Sequence, residues 1–269
     1  MDMKILIIGA ALVLIAGGIG AAVLLMNNDD GSKEINSLDD LDGARIGVEN
    51  GTTGDIYVTD EYEVPGKATI YRYDTYPDAI AALKNKKIDA IVMDKAPAEA
   101  YVQTNSGIKI LETNLNEEQY GFIFNKSNTA LRDDFNTALA TLKANGKIAE
   151  IENYWLDASR IKGNDNPYIQ STGTGATITV ATSPDFPPYD AMYGPTYTGI
   201  DMDIIRAICN ELNLRVEFTQ QNFDGVLTAV STNNVDVGAS GITITEERQN
   251  NVLFSDYYTT SVQVVVVRA

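Results

Sequence analysis

Two stretches of this chain read as copies of one another. YPDAIAALKNKKIDAIVMD begins at Tyr76, and FDGVLTAVSTNNVDVGASG begins 147 residues later, at Phe223. Each reads as a helix with one apolar face, a polar turn, and a strand that opens with Ile-Asp or Val-Asp. Strand and helix patterns alternate around both copies, which specifies largely parallel sheets joined by helical crossovers. Two α/β lobes of this kind in one chain predict a cleft between them, where ligands of such proteins usually sit.

In the first block, residues 44–112, the strands ARIGV, ATIYRY, IDAIVM and IKILE are separated by helices, the first entered through the turn GTTG. QYGFIFNK (119–126) reads as one more strand. Leu131, Phe135, Ala138, Leu139 and Leu142 keep helical spacing up to Gly146, and Ile148, Ile151 and Trp155 continue a second helix. Residues 157–176 are polar and rich in Gly, Asn and Ser, the composition of a linker. As a flexible coil they would span on the order of 25 Å. The second block starts at 177 with TITVA. It continues through a helix over 203–212 and the strands RVEFTQ and VDVGAS to the apolar strand VQVVVV.

Composition excludes several chemistries. The 269 residues carry a net charge of -17, so no basic surface is available to replace the counterions of a nucleic acid. An anionic ligand is still admissible, since one local Arg outweighs a distant field. Without histidine and with one cysteine, the chain can build no Ser-His or Cys-His pair, no Cys/His zinc site and no disulfide. Cys209 falls on the apolar face of Ile205, Ile208 and Leu212, which predicts a buried core thiol. No metal, cofactor or catalytic residue is expected.

The N-terminus carries a separate signal. Residues 5–26 are uncharged, and 22 residues at about 1.5 Å each span roughly 33 Å, enough to cross a bilayer core. The reading is an uncleaved single-pass anchor followed by a tether to Asn36, oriented N-in, C-out by Lys4 before it and Asp29 and Asp30 after it. The alternative is a cleaved signal peptide and a secreted or periplasmic protein. In both cases the body lies outside the cytoplasm.

Longer motifs carry a resemblance. ITVATSPDFPPYD, TGIDMDIIRAICNELNLRVEF, NFDGVLTAVSTNNVDVGASGITITEER and VLFSDYYTTSVQVVVVR resemble the first half of the polar amino-acid family (family 3 type) of extracellular solute-binding proteins of ABC importers. SLDDLDGARIGVENGTTGDIYV, YDTYPDAIAALKNKKIDAIVMDKAPAEAYV, EEQYGFIFNKSN and LKANGKIAEIENYWL resemble its second half. The halves stand in reverse order. The resemblance therefore implies a two-lobe periplasmic-binding-protein-like α/β fold of type II, circularly permuted; a remnant of a tandem array would fold alike. The expected division is 1–36 anchor and tether, 37–124 lobe two with a hinge strand, and 125–156 helices packing on lobe one. Residues 157–176 are the linker and 177–269 lobe one. One crossing between lobes, near Gln119–Phe124, stays covalent. The other is expected as two loose ends, the C-terminal VVVVRA and the segment near Asn36–Asp42, which implies a compliant hinge.

Carried over residue by residue, the resemblance places a ligand carboxylate on Arg248, with Ser240, Gly241 and Thr243 beside it and Thr53 as a donor from the other lobe. Arg suits this role because its fork of donors meets a carboxylate bidentately. A solvated Arg248 paired with Glu246 or Glu247 is the plain alternative. Asp94 would take the ammonium, or else cap the helix that follows it. Phe186 and Phe223 match the aromatic positions that sandwich the ligand side chain, unless they are core. Glu49, Ser183 and Met93 would line the distal end, where Glu49 favours a cationic side chain.

The function implied is a membrane-tethered, monomeric receptor that hands a polar or cationic amino acid to an ABC permease. Two alternatives stay open. Some relatives of this fold act as periplasmic dehydratases or lyases, for which Glu49 is the one candidate acid. A ligand sensor is the other, though only a few residues precede the span.

Overall fold

The computed structural model describes residues 31–111, 113–157, 159 and 166–269. The expected anchor, residues 5–26, lies outside them. Among the described residues no helix is long and apolar enough to cross a membrane.

The first block contains β1 (Arg45–Glu49), α1 (Thr53–Tyr62), β2 (Thr69–Tyr73), α2 (Tyr76–Lys84), β3 (Ala90–Asp94) and α3 (Lys95–Thr104). Three short strands follow, β4 (Ile108–Ile110), β5 (Glu117–Tyr120) and β6 (Ile123–Asn125), then α4 (Thr129–Ala144) and α5 (Lys147–Leu156). The second block opens with β7 (Thr177–Thr182), β8 (Asp185–Phe186), β9 (Asp190–Tyr193) and β10 (Thr196–Thr198). It continues with α6 (Ile200–Glu211), β11 (Arg215–Gln220), α7 (Phe223–Ser231) and β12 (Val237–Gly238). The last elements are α8 (Glu246–Gln249), β13 (Val252–Phe254) and β14 (Thr259–Arg268).

The sequence repeat is a repeat of hydrogen bonds. Thr75 caps α2 by accepting from the Asp78 N–H, and Asn222 caps α7 by accepting from the Gly225 N–H. Past each helix one residue takes the left-handed conformation, Lys86 with φ 60° and Asn233 with φ 59°. The aspartate three residues later accepts a backbone N–H from the neighbouring parallel strand: Arg45 to Asp89 at 3.0 Å, Thr179 to Asp236 at 2.8 Å. Each copy thus ties its helix return to the start of the strand beside it.

Two sheets result. One runs β2-β1-β3-β14-β4, with β5 paired to β14; the other runs β11-β7-β12-β6-β13. The strands of the repeat pair in parallel, whereas β14 and β6 enter antiparallel. A small antiparallel sheet of β8, β9 and β10 stands beside the second. The helices α4 and α5 pack on α6, where Trp155 Nε1 donates to Asp203 at 2.6 Å.

Here the structure departs from the expected lobes. The C-terminal apolar strand does not stay with residues 177–258; as β14 it fills the first sheet between β3 and β4. Its valines explain the placement. Val264 and Val266 join one apolar cluster, Val265 and Val267 another, so both faces of the strand are buried. Burying a valine contributes about 1.5–3 kcal/mol, a gain that a strand with one solvated face would halve.

The hinge changes accordingly. The stretch expected as one strand is two, β5 in the first sheet and β6 in the second, so the chain crosses at Gly121 and Phe122. It crosses back between β13 and β14, at Ser255–Tyr258, and this crossing is covalent as well. The two crossings are zipped together. Ser255 N–H donates to Phe122 O at 2.8 Å, Tyr258 N–H donates to Tyr120 O at 2.9 Å, and the Phe122 and Tyr258 rings stack 4.5 Å apart.

The loose ends therefore lie inside the first lobe, not at the hinge, and one carboxylate gathers them. Asp89 accepts from the backbone N–H of Lys33 at 2.8 Å, from the Arg45 guanidinium at 2.8 and 3.0 Å, and from Arg268 at 3.1 Å. Arg268 also donates to the Lys33 carbonyl at 2.8 Å. Burial alone would raise the Asp89 pKa, but these donors hold it at about 2.

The described part of the expected linker is likewise no free coil. Asn166 donates to Asp203, the N–H groups of Thr172 and Thr174 donate to the side chains of Asn210 and Asn213, and Gly173 and Gly175 lie against the backbone of Leu214 and Asn213. Its glycines permit that close approach; they do not signal looseness. Cys209 is fully buried, and burial pushes its thiol up to about 12.

Candidate functional site

The carboxyl ends of parallel strands from both sheets converge on one narrow cleft. From the first lobe come Glu49 at the end of β1, Thr52 and Thr53 at the start of α1, and Asp94 at the end of β3. From the second come Ser183, Asp185 and Phe186 after β7, Phe223 at the start of α7, and Ser240, Gly241, Thr243 and Arg248 around α8. The lobes are closed on each other, and the interior volume left is about 10 Å3, near what one water needs. A larger concavity of about 680 Å3 runs along β5 and β14. It is open to solvent and edged by exposed Lys95, Glu99 and Glu117, with Glu118 the one buried charge among its described lining residues.

Bonds between lobes hold the closure. Arg248 Nη2 donates to the Gly51 carbonyl at 2.9 Å, and Asn50 Nδ2 donates to Asp224 at 2.9 Å. The Tyr76 N–H donates to Asp185 Oδ2 at 3.1 Å, and Tyr101 Oη donates to the Asp185 carbonyl at 2.7 Å. Gly51, with φ 76°, is required here, because a Cβ on it would stand 2.4 Å from Asp224.

Arg248 is not on a solvated turn. It is 5 % exposed, and no carboxylate of the described residues lies within 4 Å of its guanidinium. Its Nη1 donates to the Thr243 carbonyl at 2.9 Å, and its Cζ sits 5.2 Å from the centre of the Phe223 ring. Burial lowers its pKa; the charges of Glu118 and Asp94 resist that. Two neutral carbonyls and an aromatic face hold the cation in place and leave it without a direct carboxylate partner among the described residues.

Asp94 occupies the position before α3 but makes no side-chain cap there. Instead its carboxylate accepts from Tyr120 Oη, from Gln263 Nε2 at 2.9 Å and from Ser261 Oγ at 3.2 Å. Burial, and then the nearby Glu118, raise its pKa well above the ordinary range. Glu49 is 2 % exposed and its Oε1 has no hydrogen-bond partner. Burial first, then Asp185, Asp190, Asp94 and Asp74, push it up to about 10.

Ten of the eleven expected site residues line this cleft. Met93 does not: it is fully buried in the core cluster that contains Tyr76 and Tyr120. Successive residues of a strand face opposite ways, so Asp94 and its neighbour cannot both address the cleft. Several of the ten are also engaged. The Gly241 N–H donates to Asp201 at 2.8 Å. Ser240 Oγ donates to Asp190 at 2.5 Å, and Thr243 Oγ1 donates to Glu118 at 2.8 Å. Thr53 Oγ1 accepts from Gln263 at 3.3 Å. Phe186 stacks on Tyr76 at 5.8 Å, while Phe223 supports Arg248.

Thr52, Asp185, Tyr120 and Gln263 were not among the expected residues. Asp185 had a signal, since it stands inside the Ser-Pro-Asp-Phe-Pro-Pro loop that leaves the first strand of its lobe. Tyr120 and Gln263 had none, because their contacts exist only once β14 pairs with β5 and β3.

The family profile of bacterial extracellular solute-binding proteins, family 3, matches residues 59–158 and 178–269. The chain is 36 % identical over 122 residues to ABC transporter arginine-binding protein 1 of Escherichia coli (strain K12), covering 44 % of this chain and 49 % of that protein. It is 30 % identical over 125 residues to the putative ABC transporter arginine-binding protein 2 of the same strain, covering 45 % and 50 %. The chain thus spans about half the length of the curated relatives it matches. Among solved structures, an ancestral arginine-binding protein bound to glutamine is 38 % identical over 31 % of this chain and 37 % of its own, with a TM-score of 0.30. With more than half of its residues inside the two matched blocks, the chain belongs to the bacterial extracellular solute-binding proteins, family 3.

Proposed function

We propose that this protein captures an amino acid with a cationic side chain between its two lobes and delivers it to an ABC permease. The observation that carries the reading is charge placement. Arg248 is buried with no carboxylate beside it, while Glu49, Asp94 and Asp185 line the same cleft. One cation facing three acids suits a ligand that brings one carboxylate, an ammonium and a further positive charge. In this reading Arg248 takes the carboxylate, with Thr53, Ser240 and Thr243 near it, and Asp94 takes the ammonium. Phe186 and Phe223 flank the side chain, and Glu49 and Ser183 meet its distal end. The arginine-binding names of the relatives agree with this choice.

The same reading keeps residues 5–26 as a single-pass anchor and the body outside the cytoplasm. It also keeps the reversed order of the halves, with which the bond between Arg268 and Lys33 agrees, since it sets the outer flanks of the two halves side by side.

The test is thermal unfolding of the full chain with each of the twenty amino acids. A ligand at a hundred times its Kd adds about 2.7 kcal/mol to folded stability. Arginine or lysine is expected to raise the Tm, and Arg248→Ala to remove the shift. If no amino acid raises the Tm, or if Arg248→Ala keeps the full shift, the reading fails.

A further inference from the structure

The proposed ligand leaves the placing of Asp185 in the same cleft as Glu49 unexplained. Glu49 comes from the end of β1 and Asp185 from β8, so they belong to opposite lobes and share the cleft only when it is closed. Asp185 is anchored: Oδ1 accepts from Ser183 Oγ at 3.0 Å and Oδ2 from the Tyr76 N–H at 3.1 Å. Glu49 is not, as its buried Oε1 meets no donor. The charged and titratable groups around Glu49 are overwhelmingly acidic. Asp74 stands before α2, Tyr76 on α2, Asp94 on β3, Tyr101 on α3, and Asp185 and Asp190 on β8 and β9. The one cation in the cleft, Arg248, has Glu118 and Asp94 as its strongest charged neighbours, not Glu49. Two carboxylates that line one closed cleft, one of them buried without a donor, resist both staying charged without a compensating cation.

Building on the amino-acid reading above, we propose that Glu49 and Asp185 form a single-charge subsite that must be filled for the lobes to close. The filler is the distal guanidinium or ammonium of the ligand or, when the ligand is neutral there, a proton on Glu49. Asp185 is then a specificity-determining residue alongside Glu49, and selectivity is tied to pH. A cationic ligand closes the cleft with Glu49 ionised. A neutral isostere closes it only with one proton more than the cation needs, so its affinity relative to that of the cation gains as pH falls. The difference of one proton between the two ligands holds whatever the protonation of the free protein, because both start from the same state.

The experiment is calorimetric titration of the full chain at pH 7 with L-arginine and with L-citrulline, its uncharged isostere. Each titration is run in two buffers of different ionisation enthalpy, which gives the proton count. Arginine is expected to bind at least tenfold tighter, and citrulline to take up about one proton more. In Glu49→Gln that proton difference disappears. In Asp185→Asn the arginine preference falls by tenfold or more, and Asp185→Glu restores it, which separates charge from damage to the fold. Equal proton counts in the native chain, or an unchanged preference in Asp185→Asn, overturn the subsite while leaving the amino-acid site standing. If neither ligand nor any other amino acid binds, the underlying reading falls and the subsite with it.

Discussion

Replacing Asp89 with Asn tests whether one carboxylate holds the ends of the chain in the first lobe. The side chain is 2 % exposed and accepts from Lys33, Arg45 and Arg268. Its depressed pKa, about 2 against an ordinary 3.8, corresponds to about 2 kcal/mol of preference for the ionised form in the folded state. The arginine partners are about a fifth exposed, so solvent screening trims that to roughly 1–2 kcal/mol. The backbone N–H groups of Lys33 and Arg45, facing a weaker acceptor, add about 1 kcal/mol. Asp89→Asn is therefore expected to cost about 2–3 kcal/mol, a Tm lower by roughly 5–10 °C. Asp236, the counterpart in the second lobe, bonds only to the backbone and side chain of Thr179, and Asp236→Asn should cost about half as much. The pH dependence has a definite sign. A carboxylate with a depressed folded pKa contributes above the unfolded pKa and loses its contribution as pH falls through the folded one. The Tm gap between native and Asp89→Asn chains should thus be full above about pH 4.5 and shrink towards pH 2. A gap under about 2 °C at pH 7, or an equal cost for the two substitutions, would refute the argument.

Other outcomes follow from the same geometry. Gly241→Ala puts a Cβ 2.5 Å from the Phe186 ring at a residue with φ 54°, so it should cost about 1–3 kcal/mol and weaken ligand-induced stabilisation in the Tm assay. Trp155→Phe removes the donor to buried Asp203 and should lower stability by about 1–3 kcal/mol in urea unfolding. Burial raises the Asp201 pKa to about 7 despite donors from Gly241 and Tyr258, so the folded state holds its proton more tightly than the unfolded one. That contribution is present below the ordinary carboxyl range and is lost as pH rises towards 7. Unfolding should therefore become easier between about pH 4 and 7, and a Tm that rises over that range would contradict it.

Local grammar carried far in this sequence. The turn residues at Lys86 and Asn233 and the returning aspartates lie in the two stretches whose similarity announced two lobes, and the caps Thr75 and Asn222 immediately precede them. What the sequence withheld was partnership. Four consecutive valines say that a strand is buried on both faces, but not in which sheet, so the seat of β14 in the first sheet is not legible from them. The same gap hid Tyr120 and Gln263, which reach Asp94 only through that pairing. Facing was a second blind spot: position along β3 could be carried over for Met93, but the strand's alternation turns it into the core.

The seat of β14 also orders events during synthesis. Of the described residues, 31–120 reach the ribosome exit first, yet the sheet they begin has a gap between β3 and β4 that only residues 259–268 fill. The intervening stretch, which holds the whole second sheet, emerges in between and has every strand it needs before β14 appears. The first lobe must wait with β3, β4 and β5 all lacking the partner that β14 supplies, the condition under which nascent chains pair wrongly with one another. Among the described residues, the earliest-made lobe is thus the last to be completed.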